Sequence, residues 1–130
     1  MRAGGGRQGT TLEPTVPTGV PHDALLSREE VFGPVLMVEL VADLDEGLVR
    51  VNDSAYGLQA GVFTRDLTTA FRAHVELQVG GVIVGDVPSY RADRMPYGGT
   101  TGSGVGREGL HAAMTDLTED RVLMLCGVSV

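Results

Sequence analysis

Two acidic residues run directly into an apolar segment in Glu29-Glu30-Val31-Phe32-Gly33-Pro34-Val35. Carboxylates beside a buried-looking strand are costly unless something uses them. An ionised carboxylate can accept hydrogen bonds from a ligand's hydroxyls, and a neighbouring aromatic ring can pack on a flat heterocycle. Glu30 and Phe32 are therefore the first candidates for ligand contact. On these residues alone, a solvated turn at Glu29 and Glu30 with Phe32 in the core is the preferred reading.

A second cluster comprises Met95-Pro96-Tyr97-Gly98-Gly99 and Ser103-Gly104-Val105-Gly106-Arg107-Glu108-Gly109. Residues 104–109 match the letters of the dinucleotide fingerprint G-x-G-x-x-G. That fingerprint works only behind a strand and with an acidic residue about 20 positions later. Residues 100–103 read as loop, so a glycine-rich loop entering a helix is the better reading. Cys126 invites comparison with a nucleophile, but it lies in an apolar terminal run with no cationic neighbour to favour the thiolate, and a buried, inert thiol is expected. His22, His74 and His111 show no metal-ligand spacing, and no serine sits in an activated-nucleophile motif.

The elements that must position these residues follow from periodicity. Residues 1–20 contain Pro14 and Pro17 and little periodic pattern, so a loose N-terminal segment is expected. Residues 35–41 form a nearly continuous apolar run of strand length. Asp43 and Glu46 have capping-box spacing ahead of a helix with Leu44, Leu48 and Val51 on one face. A short strand is expected at residues 61–64. Asp66 then caps a helix with the stripe Leu67, Ala70, Phe71 and His74, ending before Gly80-Gly81. Residues 82–84 read as a strand, Leu110, Ala113, Met114 and Leu117 mark a third helix, and residues 121–126 read as a final edge strand seeking a partner. Alternating strands and helices imply an α/β fold with parallel βαβ units.

Composition bounds the possibilities. A chain of 130 residues holds one ordinary core. With 5% aromatic residues and no Trp, that core must be aliphatic, while nineteen glycines indicate tight turns. A net charge of −7 with scattered basic residues argues against nucleic-acid binding. No apolar run approaches the roughly 20 residues of a membrane span. A single cysteine fits a reducing, cytoplasmic compartment.

Taken together, the motifs at residues 29–35, 95–99 and 103–109 resemble the C-terminal part of the NAD(P)-dependent aldehyde dehydrogenase family, across nearly the whole chain and about the last quarter of a member. The resemblance implies part of a three-layer, parallel-sheet catalytic domain at residues 21–118 and an oligomerisation strand within residues 119–130, after the loose segment 1–20. It implies that Glu30 accepts hydrogen bonds from the nicotinamide ribose of NAD or NADP, that Phe32 positions the nicotinamide end, and that Tyr97 lines the substrate pocket. It also places Arg107 and Glu119 in an ion-pair network near a subunit interface, although an ordinary surface pair, at about 0–1 kcal/mol, is the simpler reading.

Family members oxidise an aldehyde to an acid through attack by a cysteine thiolate, hydride transfer to NAD(P) and hydrolysis of the thioester. The matching nucleophile and general-base glutamate would precede residue 1, so the chain holds no catalytic residue and is expected to be inactive alone, with doubtful cofactor binding. Its expected partners are a second copy or a missing N-terminal portion, through the sheet edge. A non-catalytic interaction module and the product of a truncated gene are the alternatives. Two positions depart from the family pattern: Val84-Gly85 replaces Val-Asn, and Thr101 stands where a Lys is usual.

Overall fold

The computed structural model describes residues 3–127, and its N-terminal part is more ordered than the sequence suggests. Strands β1 (Arg7–Gln8) and β2 (Thr11–Leu12) pair antiparallel, and an isolated bridge between Ala3 and Val16 extends the hairpin. Gly9, at φ 60°, supplies the turn. Polar strand residues hid this hairpin from a search for apolar alternation.

Two compact units divide the chain, residues 1–55 and residues 56–130. In the first, the apolar run expected as a strand at residues 35–41 forms only isolated parallel bridges, Thr15 to Val35 and Thr18 to Val38. The backbone bonds explain why. Thr15 donates to Pro34 (2.9 Å), Leu36 donates to Thr15 (3.0 Å) and Val38 donates to Pro17 (3.1 Å). Parallel alternation calls next for a bond from residue 17 to the Leu36 carbonyl, but Pro17 has no N–H, so the ladder is interrupted.

Helix α1 (Leu25–Arg28) ends at Glu29, whose amide donates to the Leu25 carbonyl. Helix α2 (Leu44–Asn52) begins as its sequence dictates: the Asp43 carboxylate accepts from the Glu46 amide at 2.9 Å, and Glu46 Oε2 accepts from the Ala42 amide at 2.8 Å. The Ala42 amide, then the Arg50 guanidinium, holds the Glu46 carboxyl below its ordinary range, while Glu46 raises Arg50 in turn. Leu48 is the buried residue of this helix.

The second unit contains the βαβ element. Strand β3 (Tyr56–Gly57) precedes β4 (Gln59–Val62), which is joined through α3 (Leu67–Glu76) to β5 (Gly81–Val84). Strands β4 and β5 are parallel, with Gln59 opposite Gly81 and Val62 opposite Val84. The α/β class is thus as expected, with β4 beginning two residues before the expected strand. Asp66 caps α3, accepting from the Thr69 amide (2.8 Å), the Thr68 amide (3.2 Å) and the Thr69 hydroxyl (2.7 Å). These donors lower its carboxyl, the Thr69 hydroxyl most.

The buried face of α3 differs from the expected stripe. Ala70 and Ala73 are buried, and Leu77 just beyond the helix joins them, whereas Phe71 is 68% exposed and Leu67 is exposed as well. Small alanines let the helix approach β5 closely, and the bulky side is left exposed. Strand β6 (Thr100–Thr101) pairs antiparallel with β3, and α4 (Leu110–Asp116) follows Gly109. The expected strand at residues 121–126 is absent: the segment is coil with Val122 to Leu125 exposed, because an edge strand needs a neighbour to complete its hydrogen bonds. Cys126 is correspondingly free and exposed, not buried.

Candidate functional site

In the first unit, Glu30 and Phe32 occupy the short segment between the end of α1 and the bridge at Val35. Arg28, the last residue of α1, ties this segment down: its Nη1 lies 3.1 Å from His22 Nε2 and 3.5 Å from Asp53 Oδ1, and His22 Nε2 lies 2.7 Å from Asp53 Oδ2. Asp53 is the C-cap of α2, so the cluster fixes α1 against the end of the longer helix. Beyond Glu29 the chain turns sharply, with the Val35 amide donating to the Gly33 carbonyl at 2.8 Å.

Phe32 takes the unusual conformation in this turn. Its φ is +48°, and the residue is 89% exposed. A bulky residue in the left-handed region is strained, and such strain clusters at ligand-binding sites. Glu30 is also exposed. The pair thus presents an uncommitted ring and a carboxylate from a backbone held by Arg28 on one side and by the Gly33-Pro34 turn on the other. A flat heterocycle and a pair of hydroxyls are the ligand groups this arrangement can receive.

In the second unit, Tyr97 pairs with Glu108 through their backbones, the Tyr97 amide donating to the Glu108 carbonyl at 3.0 Å and the Glu108 amide donating back. This closes residues 98–107 into a loop. Glycine is needed within it: a Cβ on Gly98 would strike the Gly106 carbonyl, and one on Gly80 would strike the Gly98 carbonyl. The loop is fastened to β3 by Ser103 Oγ, which accepts from the Gly57 amide at 2.9 Å, and to the segment between α3 and β5 by Thr100 Oγ1, which donates to the Gln78 carbonyl at 2.8 Å.

Arg107 serves as an internal staple of this loop. Its Nη1 donates to the carbonyls of Gly99 (2.8 Å) and Gly106 (3.0 Å). The pairing with Glu119 is not formed among the described residues of the chain. Arg107 is engaged by the glycine carbonyls, and Glu119 lies exposed in coil after α4. Tyr97 and Arg107 line one cleft of about 460 Å³, shared with Leu58, Ser103, Glu108 and Asp116.

The fingerprint-like residues 104–109 belong to this loop. Strand β6 ends at Thr101 and is antiparallel to its neighbour, so no strand runs into Gly104 as a pyrophosphate cradle would require. Among the described residues, no group of His, Cys, Asp and Glu is arranged to hold a metal.

Arg91, which no motif marks out, stands beside this cleft. The Arg91 guanidinium lies over the Tyr97 ring, 4.5 Å from its centroid, and Nη2 is 3.2 Å from Glu108 Oε2. The only sequence signal was an arginine in the loop leading to Tyr97. Its contact depends on Glu108 being brought back beside Tyr97, which spacing does not reveal.

Comparison with known proteins agrees with this layout. The model of the aldehyde dehydrogenase family matches residues 2–123. The chain is 48% identical over 125 residues to the 3-sulfolactaldehyde dehydrogenase of Priestia aryabhattai, covering 96% of this chain and 26% of that protein. Aldehyde dehydrogenase 21 from Physcomitrella patens, in complex with the reaction product succinate, superposes with a TM-score of 0.90 and 45% identity over 98% of this chain and 26% of that one. Glyceraldehyde-3-phosphate dehydrogenase from Methanocaldococcus jannaschii, complexed with NADP, gives a TM-score of 0.78 and 34% identity over 87% of this chain and 24% of that one. The chain therefore spans about a quarter of the length of these relatives. With a match across nearly all its residues in both sequence and fold, it belongs to the aldehyde dehydrogenase family.

Proposed function

We propose that this chain supplies the nicotinamide-ribose contact and the substrate-side loop of an aldehyde dehydrogenase, which oxidises an aldehyde to a carboxylic acid with NAD or NADP. Phe32 carries this reading: an aromatic side chain held out in solvent on a left-handed backbone is poised for a planar ligand. Glu30, exposed two residues earlier, accepts the ribose hydroxyls, and Tyr97 faces the substrate cleft. When bound, the nicotinamide accepts hydride; Phe32 orients its ring and Glu30 holds the adjoining sugar.

The chain by itself does not turn over in this reading. Cys126, its one thiol, is free and in exposed coil, so this reading takes the nucleophile from outside these residues.

Association belongs to the same proposal. Val122 to Leu125, Leu110 and Leu117 present apolar side chains to solvent, which supports docking on a second copy or on the remainder of a catalytic domain, in the cytoplasm. No helix among the described residues is long and apolar enough to cross a membrane.

The test is saturation-transfer NMR of the purified chain with NAD and NADP, alongside an aldehyde panel incubated with the same oxidised cofactors and monitored by reduced-cofactor absorbance. The expected result is nicotinamide and ribose signals that Phe32→Ala and Glu30→Gln each weaken, with no turnover. Saturation transfer unchanged in both variants would reject the assignment of Glu30 and Phe32, and steady growth of reduced cofactor would reject the claim that the chain is inactive.

A further inference from the structure

We infer that Arg28 is the positioning residue of the cofactor segment, and that His22 makes its grip depend on pH by competing for the same carboxylate, Asp53. The inference rests on Glu30 and Phe32 meeting the cofactor, as proposed above, and adds what holds them in place and what releases them.

The strained turn needs support from both ends. A bulky residue stays in the left-handed region only where its surroundings over-determine it. On the C-terminal side of Phe32 the support is backbone: Val35 donates to Gly33 at 2.8 Å and Thr15 donates to Pro34 at 2.9 Å. On the N-terminal side stands α1, four residues long and too short to persist by itself. Ser27 Oγ ties it to the Pro21 carbonyl at 2.9 Å, and Arg28, its last residue, ties it to Asp53. Arg28 is therefore the side-chain tie nearest the turn.

The distances around Asp53 describe a contest. His22 Nε2 lies 2.7 Å from Oδ2, the length of a hydrogen bond to a carboxylate, so this nitrogen carries a proton. A protonated Nε2 offers no lone pair to Arg28 Nη1, which lies 3.1 Å from it and has its acceptor at Asp53 Oδ1, 3.5 Å away. While the ring is neutral, the carboxylate serves one cation and one neutral donor. Imidazole takes up its second proton as pH falls from about 8 to about 5. Two cations then share one carboxylate at close range, and the longer contact gives way. His22 keeps Asp53, and Arg28 is released.

The surrounding charges leave this contest undisturbed. Arg50, in the last turn of α2, is held by Glu46 and Glu39, and Asp23 and Glu29 form no hydrogen bond or ion pair with His22 or Arg28 among the described residues. The Glu46 and Asp66 carboxyls, held below their ordinary range, stay ionised throughout the window.

The test follows the full 130-residue chain by carbon-detected NMR between about pH 8 and about pH 5, at fixed ionic strength and without cofactor. The Cα and Cβ shifts of Phe32 follow its backbone angles and need no exchangeable proton. The expected result is that they move away from their left-handed values as the His22 ring protonates. Saturation transfer to NAD falls over the same range by about two- to fivefold, the scale of an ion pair between side chains that are about half exposed. Arg28→Gln gives the released shifts at every pH, and Arg28→Lys keeps a weakened pH dependence. His22→Gln still donates to Asp53 but gains no charge, so it holds the left-handed shifts across the window.

That last variant separates the idea from simple damage, since it is better ordered in acid than the parent. Phe32 shifts that do not change with pH in the parent overturn the proposal, as does a pH dependence that survives in His22→Gln. The two readouts fail separately. A pH-dependent turn without any cofactor signal sinks the proposed function and spares the clamp, whereas Phe32-dependent cofactor binding with a pH-independent turn does the opposite.

Discussion

Pro17 accepts the Val38 amide at 3.1 Å through its carbonyl, yet its ring nitrogen can donate nothing back to the apolar run. This one residue accounts for the gap between an apolar segment of strand length and the isolated bridges that form there. Pro17→Ala supplies the missing donor opposite the Leu36 carbonyl. The expected outcome is a newly protected amide at position 17 in hydrogen exchange. The gain in stability is below about 1.5 kcal/mol, because the added bond is offset by a more flexible unfolded chain. Free exchange at that amide would show that the pairing is limited by something other than proline.

The strain at Phe32 predicts an exchange of stability for function. Phe32→Gly removes a left-handed bulky residue that packs on little, so unfolding by urea should shift to higher concentration, with a gain of up to about 1 kcal/mol after glycine's extra unfolded-state freedom is counted. Nicotinamide signals should fall in the same variant. A lower urea midpoint would mean that the ring packs more than its exposure indicates.

Two glycines of the second unit make a matched pair. A Cβ on Gly80 meets the Gly98 carbonyl, whereas one on Gly106 meets nothing within 4 Å. Gly80→Ala should cost about 1–3 kcal/mol, as overpacking does, and Gly106→Ala should be close to neutral. Thermal or urea melts of the two variants provide the comparison.

Acid should loosen both long helices. The folded state holds Glu46 low through the Ala42 amide first and Arg50 second, and holds Asp66 low through the Thr69 hydroxyl first. A depressed carboxyl favours the ionised, folded form. The stabilisation is therefore complete above the ordinary carboxylate range and is lost as pH falls through the lower, folded values. Far-ultraviolet circular dichroism followed downward from neutral pH should show helix loss beginning in that window. Glu46→Gln and Asp66→Asn should each blunt the dependence, and an unchanged profile in both would remove the caps as its source.

How much of this was legible depended on how local each cause was. The caps at Asp43 and Asp66 and the strand at β5 are written in neighbouring residues, and each formed where its pattern indicated. The face of α3 was misjudged because hydrophobicity alone favours Phe71 over Ala73, whereas close approach to β5 favours the smaller side chain. Residues 121–126 have the composition of a strand but no neighbour among the described residues. The Glu30-Phe32 motif was visible as residue types, but its left-handed backbone was not. Arg91 and the staple role of Arg107 emerge only when the loop folds back on itself, bringing Glu108 beside Tyr97 and the glycine carbonyls beside a guanidinium.

The nesting of the second unit sets an order of events. Strands β4 and β5 and the helix between them lie entirely inside the stretch that β3 and β6 must close, where Tyr56 meets Thr101. Closing so long a stretch while it is still unstructured carries a large entropic penalty, and that penalty shrinks once the βαβ element has shortened the path. The inner element therefore assembles first and the β3–β6 pairing last. The glycine loop that borders the Tyr97 cleft is thus the final part of this unit to take shape, and the first to open when the protein is stressed.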